Sequence, residues 1–150
     1  IERFGGHAMA AGLSILPENL LQFKEAFSEA VSKHLNGKKP ALDLLTDGEL
    51  DASEMTLKNA QLLCSSAPWG QGFEEPIFYG DFEILEQKVV GEKHLKCTLK
   101  LIDTSAIFEG IAFFQEKLET KKARVAYKLN VNSFRGNESL QLMIESMLIQ

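Results

Sequence analysis

The chain has 150 residues, 45% of them hydrophobic and 25% charged, which is a globular rather than a disordered balance and enough for one good core or two small ones. No apolar run approaches the roughly 18–20 residues of a membrane span, no signal-peptide pattern is present, and Cys64 and Cys97 lack CxxC spacing or nearby histidine pairs; the chain reads against a membrane anchor and a zinc site and suits a reducing cytoplasm. The net charge of −5 excludes less, because it is uneven: residues 41–86 hold ten acidic residues against Lys58 alone, while residues 87–150 hold ten basic and seven acidic residues and can still face phosphate.

Read in order, the chain opens on RFGGHAMAAGLSI, Arg3 to Ile15. Gly5 and Gly6 leave backbone N–H groups unshielded, and Ala8 to Ala11 can begin a helix whose N-terminus would accept an anion beside His7. The competing reading is that small residues merely permit tight packing and that His7 bonds a neighbouring carbonyl. Both readings stand on the residues alone. The chain starts at Ile1 with this motif immediately behind it, so it reads as part of a longer protein, its C-terminal part.

Leu16-Pro17-Glu18-Asn19 opens a helix along which Leu20, Phe23, Phe27, Ala30 and Val31 form one apolar stripe, and Asn36-Gly37 closes it. His34, in the last turn, suits the negative end of the helix dipole. Asp47-Gly48 marks a turn, and Asp51 with Glu54 reads as a capping box for a helix from about Ala52 to Leu63. Two prolines and two glycines then interrupt regular structure between Ser66 and Pro76, where Trp69 is expected to plug the joint between helix and sheet.

Beyond Phe78 the period changes to two. Strands are expected at Phe82 to Val90, at His94 to Leu101 with Leu95, Cys97, Leu99 and Leu101 inward, and at Ile107 to Phe114 with Gly110 as a bulge or bend. A fourth strand turns Val125, Tyr127, Leu129 and Val131 inward. After a turn at Arg135-Gly136-Asn137, a fifth alternates Leu140, Leu142 and Ile144 with polar residues. The fold expected is therefore α+β: an N-terminal helical segment (1–40), a connector with one helix (41–76), and a five-stranded antiparallel barrel of the oligonucleotide-binding (OB) type (77–150).

Lys96, Lys100, Arg124 and Lys128 fall on the outward parity of the second and fourth strands, which makes a phosphate-tracking face; solubility and edge protection explain the same residues without a ligand. Phe134 in the last turn, and Phe108 or Phe114 on the third strand, are the candidate stacking partners for bases, and Arg135 in that turn is a further candidate DNA contact. The three histidines lie far apart, so no metal site is expected in this chain.

GGHAMAAG, Gly5 to Gly12, resembles the signature of the DHHA1 domain of the DHH phosphoesterases, and Phe4 in place of the first glycine resembles the RecJ branch. DGEL, EMT, AQLL, PWGQGFEEPIF, GEKHLK, GIAF and AYKLNVNSFRGNESLQL follow in the order of that family, so the resemblance covers nearly the whole chain. It implies a 5′-to-3′ exonuclease specific for single-stranded DNA, bacterial and cytoplasmic, used in recombination and repair. Two divalent metal ions, manganese or magnesium, would lie in a separate DHH domain, leaving this chain without a cofactor and inactive alone. The resemblance further implies that His7 contacts substrate phosphate, with Gly5 and Gly6 letting it approach, and that the OB barrel holds the single strand. Two alternatives stay open: a non-catalytic module that recruits nucleic acid or a repair factor such as a single-strand-binding protein, and a nucleotide-hydrolysing or editing protein. The barrel behind the glycine motif argues against the last.

Overall fold

The computed structural model describes residues 1–7, 10–36, 38, 43–91 and 93–149. They form two compact units, Ile1–Asp43 and Leu44–Gln150.

In the first unit, strands β1 (Arg3–His7) and β2 (Ala10–Ser14) pair as an antiparallel hairpin, followed by a 3-10 turn at Pro17–Asn19 and helix α1 (Leu20–His34). The helix expected from Ala8 to Ala11 is therefore replaced: Ala10 and Ala11 are in a strand, while Ala8 and Met9 lie outside the described residues. The reason for one glycine is visible in the pairing. Gly6 opposes Ala11 so closely that a Cβ on Gly6 would lie 2.6 Å from the alanine Cβ. Helix α1 follows the expected stripe, with Phe23 and Phe27 stacked at 5.6 Å one turn apart. Asn36, at φ 51°, supplies the left-handed residue that ends the helix; Gly37 lies outside the described residues.

In the second unit, helix α2 (Leu57–Ser66) packs on the barrel and buries Ala60. It begins five residues later than the sequence suggested. Glu54 does reach back to the Asp51 N–H at 2.9 Å, but this half of a capping box closes a turn over residues 52–54. The true cap is Thr56, whose hydroxyl accepts the Asn59 N–H at 3.2 Å. At the other end the Trp69 indole N–H donates to the Leu63 carbonyl at 2.9 Å, filling an acceptor left open by the last helical turn, while its ring stacks on Phe73 at 4.9 Å.

Strands β3 (Phe78–Val90), β4 (His94–Leu101), β5 (Ile107–Phe113), β6 (Lys122–Phe134) and β7 (Asn137–Ile149) close a barrel in the order β3-β4-β5-β7-β6. The expected OB-type barrel is thus present, but it is not wholly antiparallel: β5 and β7 pair in parallel through Gly110–Leu142, Ile111–Met143 and Ala112–Ile144. Counting directions explains this. A ring of five strands cannot alternate all the way round, so one neighbouring pair must run the same way.

Inward parity fills the barrel with Phe82, Leu95, Leu99, Val125, Tyr127, Leu129 and Leu142, all fully or almost fully buried. Tyr127 sets its ring edge against Phe82 at 5.7 Å, as its inward parity required. Two register shifts bend the wall. Leu85 is the extra residue between Ile84 and Glu86 of β3, and Glu145 is the extra residue of β7 opposite the step from Ala126 to Tyr127. Gly110, expected as a bulge or bend, lies in unbroken register opposite Cys97, so there is no bulge there. Its lack of a side chain serves packing, since a Cβ there would come within 2.9 Å of Ile144 Cδ1. Arg135 (φ 52°) and Gly136 (φ 81°) make the two-residue turn between β6 and β7, the geometry that matches the right-handed twist of a hairpin.

Candidate nucleic-acid interface

The outer wall of β3, β4 and β5 is organised in rows by strand register. Val90, His94 and Phe113 are cross-strand neighbours at one end; Lys88, Lys96 and Ile111 form the next row; Glu86, Thr98 and Glu109 form the third. Successive rows on one face are about 7 Å apart. Aromatic, cationic and acidic rows therefore follow one another along the wall, beginning beside the turn that joins β3 to β4.

The aromatic row is extended by Phe114. The His94 imidazole meets the Phe113 ring at 4.9 Å and the Phe114 ring at 5.2 Å, both edge-to-face, and its Nδ1 accepts a long 3.5 Å hydrogen bond from the Phe114 N–H. Phe113 and Phe114 remain 51% and 78% exposed. Phe114 takes φ 55°, a left-handed conformation that is costly for a bulky side chain and that breaks the strand alternation, so that successive phenylalanines can both meet one imidazole. Two exposed rings around a histidine, with Lys88 and Lys96 directly opposite each other in the next row, are a surface onto which bases can stack while phosphates meet charge. Like charges facing each other across a ladder are otherwise unfavourable.

The cations read from parity do point outward, yet each is held by a carboxylate. Lys96 Nζ lies 2.8 Å from Glu109, Lys100 Nζ 3.9 Å from Glu83, and Lys128 Nζ 3.2 Å from Glu145 and 3.5 Å from Glu75. Arg124 grips Asp81 with two 2.8 Å bonds and lies over the Tyr79 ring. These contacts move the titrations accordingly. The hydrogen bond from Lys96 holds the Glu109 carboxyl below the usual carboxylate range, against partial burial and with help from the Thr98 hydroxyl. For Lys128, burial works downward but the two glutamates outweigh it, and the ammonium is held above its ordinary value.

Phe134, 64% exposed, stands at the β6–β7 turn with the Arg135 guanidinium 5.1 Å above its ring. Phe108 is half-buried against the core, so it is not a stacking surface; Phe113, at the far end of the same strand, occupies the outward parity. His7, Gly5 and Gly6 belong to the hairpin of the first unit, where His7 is an exposed residue opposite Ala10. A hairpin has no helix terminus, so the anion site expected there on dipole grounds loses its basis. Phe113 and Lys88 are additions from the structure, and His94 was legible only as an outward residue. Among the described residues no group of three or more His, Cys, Asp or Glu side chains converges as a metal-ligand set would.

Comparison with known proteins agrees with this architecture. The chain is 42% identical over 156 residues to the single-stranded-DNA-specific exonuclease RecJ of Salmonella typhimurium, and 41% and 43% identical to the RecJ proteins of Escherichia coli and Haemophilus influenzae. In each case 97% of this chain is matched, and it spans 26% of the relative's length. Its fold resembles the crystal structures of RecJ from Thermus thermophilus in complex with Mg2+ (TM-score 0.64, 21% identity) and with Mn2+ (TM-score 0.60, 23% identity), covering 99% of this chain and 23% and 22% of those chains. Residues 46–146 match the family model of the RecJ OB domain, and the chain belongs to that family.

Proposed function

We propose that this chain is the OB-bearing part of a RecJ-type exonuclease and that its barrel grips single-stranded DNA on the His94–Phe113–Phe114 platform. The observation that carries the reading is the adjacency of that aromatic row to the Lys88–Lys96 row on the outer wall; His94, Lys96 and Phe113 stand on the barrel's second and third strands, whose face OB folds use for oligonucleotides, with Lys88 beside them on the first. Phe134 with Arg135 offers a second stacking point at the β6–β7 turn, the other loop region on which such barrels draw. Lys96, in the row next to the rings, takes a phosphate; Lys100, Arg124 and Lys128, which lie outside that row, contribute less. His7, with Gly5 and Gly6 beside it, contacts substrate phosphate in the intact enzyme, a role that rests on the resemblance of its motif. The chemistry of hydrolysis belongs to metal ions held by residues outside this set, and the barrel's part is to bind and orient the strand.

Fluorescence anisotropy of a labelled single-stranded oligonucleotide tests the proposal. Phe113→Ala and Phe114→Ala should each weaken binding about 5- to 150-fold, the range expected for one stacked base. Equal binding by the double variant, or no binding by the unaltered chain at low salt, refutes the platform. In the full-length exonuclease, His7→Ala should lower the cleavage rate while leaving affinity for the strand nearly unchanged.

A further inference from the structure

Lys96 stands in the row next to the aromatic one, two residues from His94 on the same strand, yet its charge is drawn away from that row. Its Nζ lies 2.8 Å from Glu109 Oε2, and the other carboxylate oxygen accepts the Thr98 hydroxyl at 3.0 Å. Lys96 opposes Ile111 and Thr98 opposes Glu109, so the ion pair runs diagonally from the cationic row into the acidic one. Thr98 fixes the carboxylate from its own row, and Glu86 stands on the far side of Thr98. Both partners of the pair are 45% exposed, which leaves Lys96 open to exchange with an incoming anion.

Building on the platform reading, we infer that Glu109 is an internal competitor for DNA phosphate at Lys96, setting how tightly the barrel holds a single strand. A phosphate that reaches Lys96 must displace the carboxylate and then lie beside its negative charge. Affinity is therefore held below what the same cation would give if unpaired, and stacking, which is tolerant of sequence, carries a larger share of the grip.

Glu109→Gln removes the charge and keeps an oxygen for Thr98. It should tighten binding of the oligonucleotide about 3- to 10-fold at low salt, the effect of deleting one unit charge a few ångströms from a phosphate. It should also steepen the log–log salt slope by about 0.7, the increment for one added single-strand phosphate contact. Thr98→Val, which removes one of the two bonds aiming the carboxylate, should act in the same direction by less. In a Lys96→Ala background the gain from Glu109→Gln should largely disappear. Unchanged affinity and slope in Glu109→Gln, in a variant whose melting temperature shows it folded, overturns the inference while the losses in Phe113→Ala and Phe114→Ala still uphold the platform. An undiminished gain without Lys96 also overturns it. If the phenylalanine variants bind like the unaltered chain, the platform fails and the inference falls with it.

Discussion

Gly110→Ala is the most direct probe of how the barrel is packed, because the space around that position sets its effect. The added Cβ would lie 2.9 Å from Ile144 Cδ1 and 3.2 Å from Leu99 Cδ1, both nearer than ordinary contact, and Ile144 and Leu99 are themselves buried. Forcing a methyl group into such a site costs about 1–3 kcal/mol. Against this, Gly110 does not have a positive φ, so alanine gains about 0.4–1 kcal/mol by restricting the unfolded chain. The expected balance is a loss of about 1 kcal/mol, or about 4–8 °C in melting temperature for a barrel of this size. The decisive arm is Ile144→Val, which deletes the obstructing Cδ1. Alone it should cost about 0.5–1.5 kcal/mol; combined with Gly110→Ala it should cost almost nothing, leaving a coupling of about 1 kcal/mol. Urea unfolding of the four proteins measures the cycle. Additivity within about 0.5 kcal/mol, or an alanine variant more stable than the parent, would refute the packing argument.

Thr56→Ala should lower stability by about 1 kcal/mol in the same urea assay, because it removes the side-chain cap from α2 without touching the barrel. Burial, with Glu49 and Glu54 adding, holds the Tyr127 phenol well above its ordinary value. The native state therefore keeps that proton more tightly than the unfolded chain. The contribution is full below the unfolded value of about 10 and is lost as pH rises beyond it. Tyr127→Phe should flatten the alkaline fall in stability between about pH 10 and 12, and an unchanged slope would contradict the burial argument. A shallower slope should remain from Cys97, whose thiol is pushed up to about 11 by burial and then by Glu109. Glu109, depressed by Lys96, acts at the other end: its contribution is present above the unfolded carboxylate value and lost as pH falls through its folded one. The pair is half-exposed, so Glu109→Gln should change neutral-pH stability by less than about 1 kcal/mol.

Alternation along a strand is a local property, and it made the barrel legible in advance. Leu95, Cys97 and Leu99, like Val125, Tyr127 and Leu129, face inward as their spacing required. That one neighbouring pair of a closed five-stranded barrel runs in parallel was also within reach, since it follows from the odd strand count; that the pair is β5–β7 was not. The later start of α2 was less accessible, because Glu54 makes its half of a capping box and only the three-dimensional path shows that no helix follows. The site was harder still. Parity identified Lys96, Lys100, Arg124 and Lys128 as outward cations, but their partners Glu109, Glu83, Asp81, Glu75 and Glu145 come from other strands and loops, and only cross-strand register brings them together. The same holds for His94 and Phe113, which lie far apart along the chain until β4 and β5 pair. At the glycine motif, small residues fit both a helix entry and a tight hairpin, and the choice went to the hairpin.

The parallel seam also has a consequence in time. The pairs β3–β4, β4–β5 and β6–β7 join strands adjacent in the chain, so each needs only a short loop to close. The three residue pairs between β5 and β7 become available only after β6 and its hairpin have crossed to the far side of the wall. Contacts made between distant parts of a chain are entropically slow to form. The seam and the β3–β6 joint, whose partners lie still farther apart in the chain, are then the late joints to shut during folding, and weakening either should hasten unfolding more than it delays refolding.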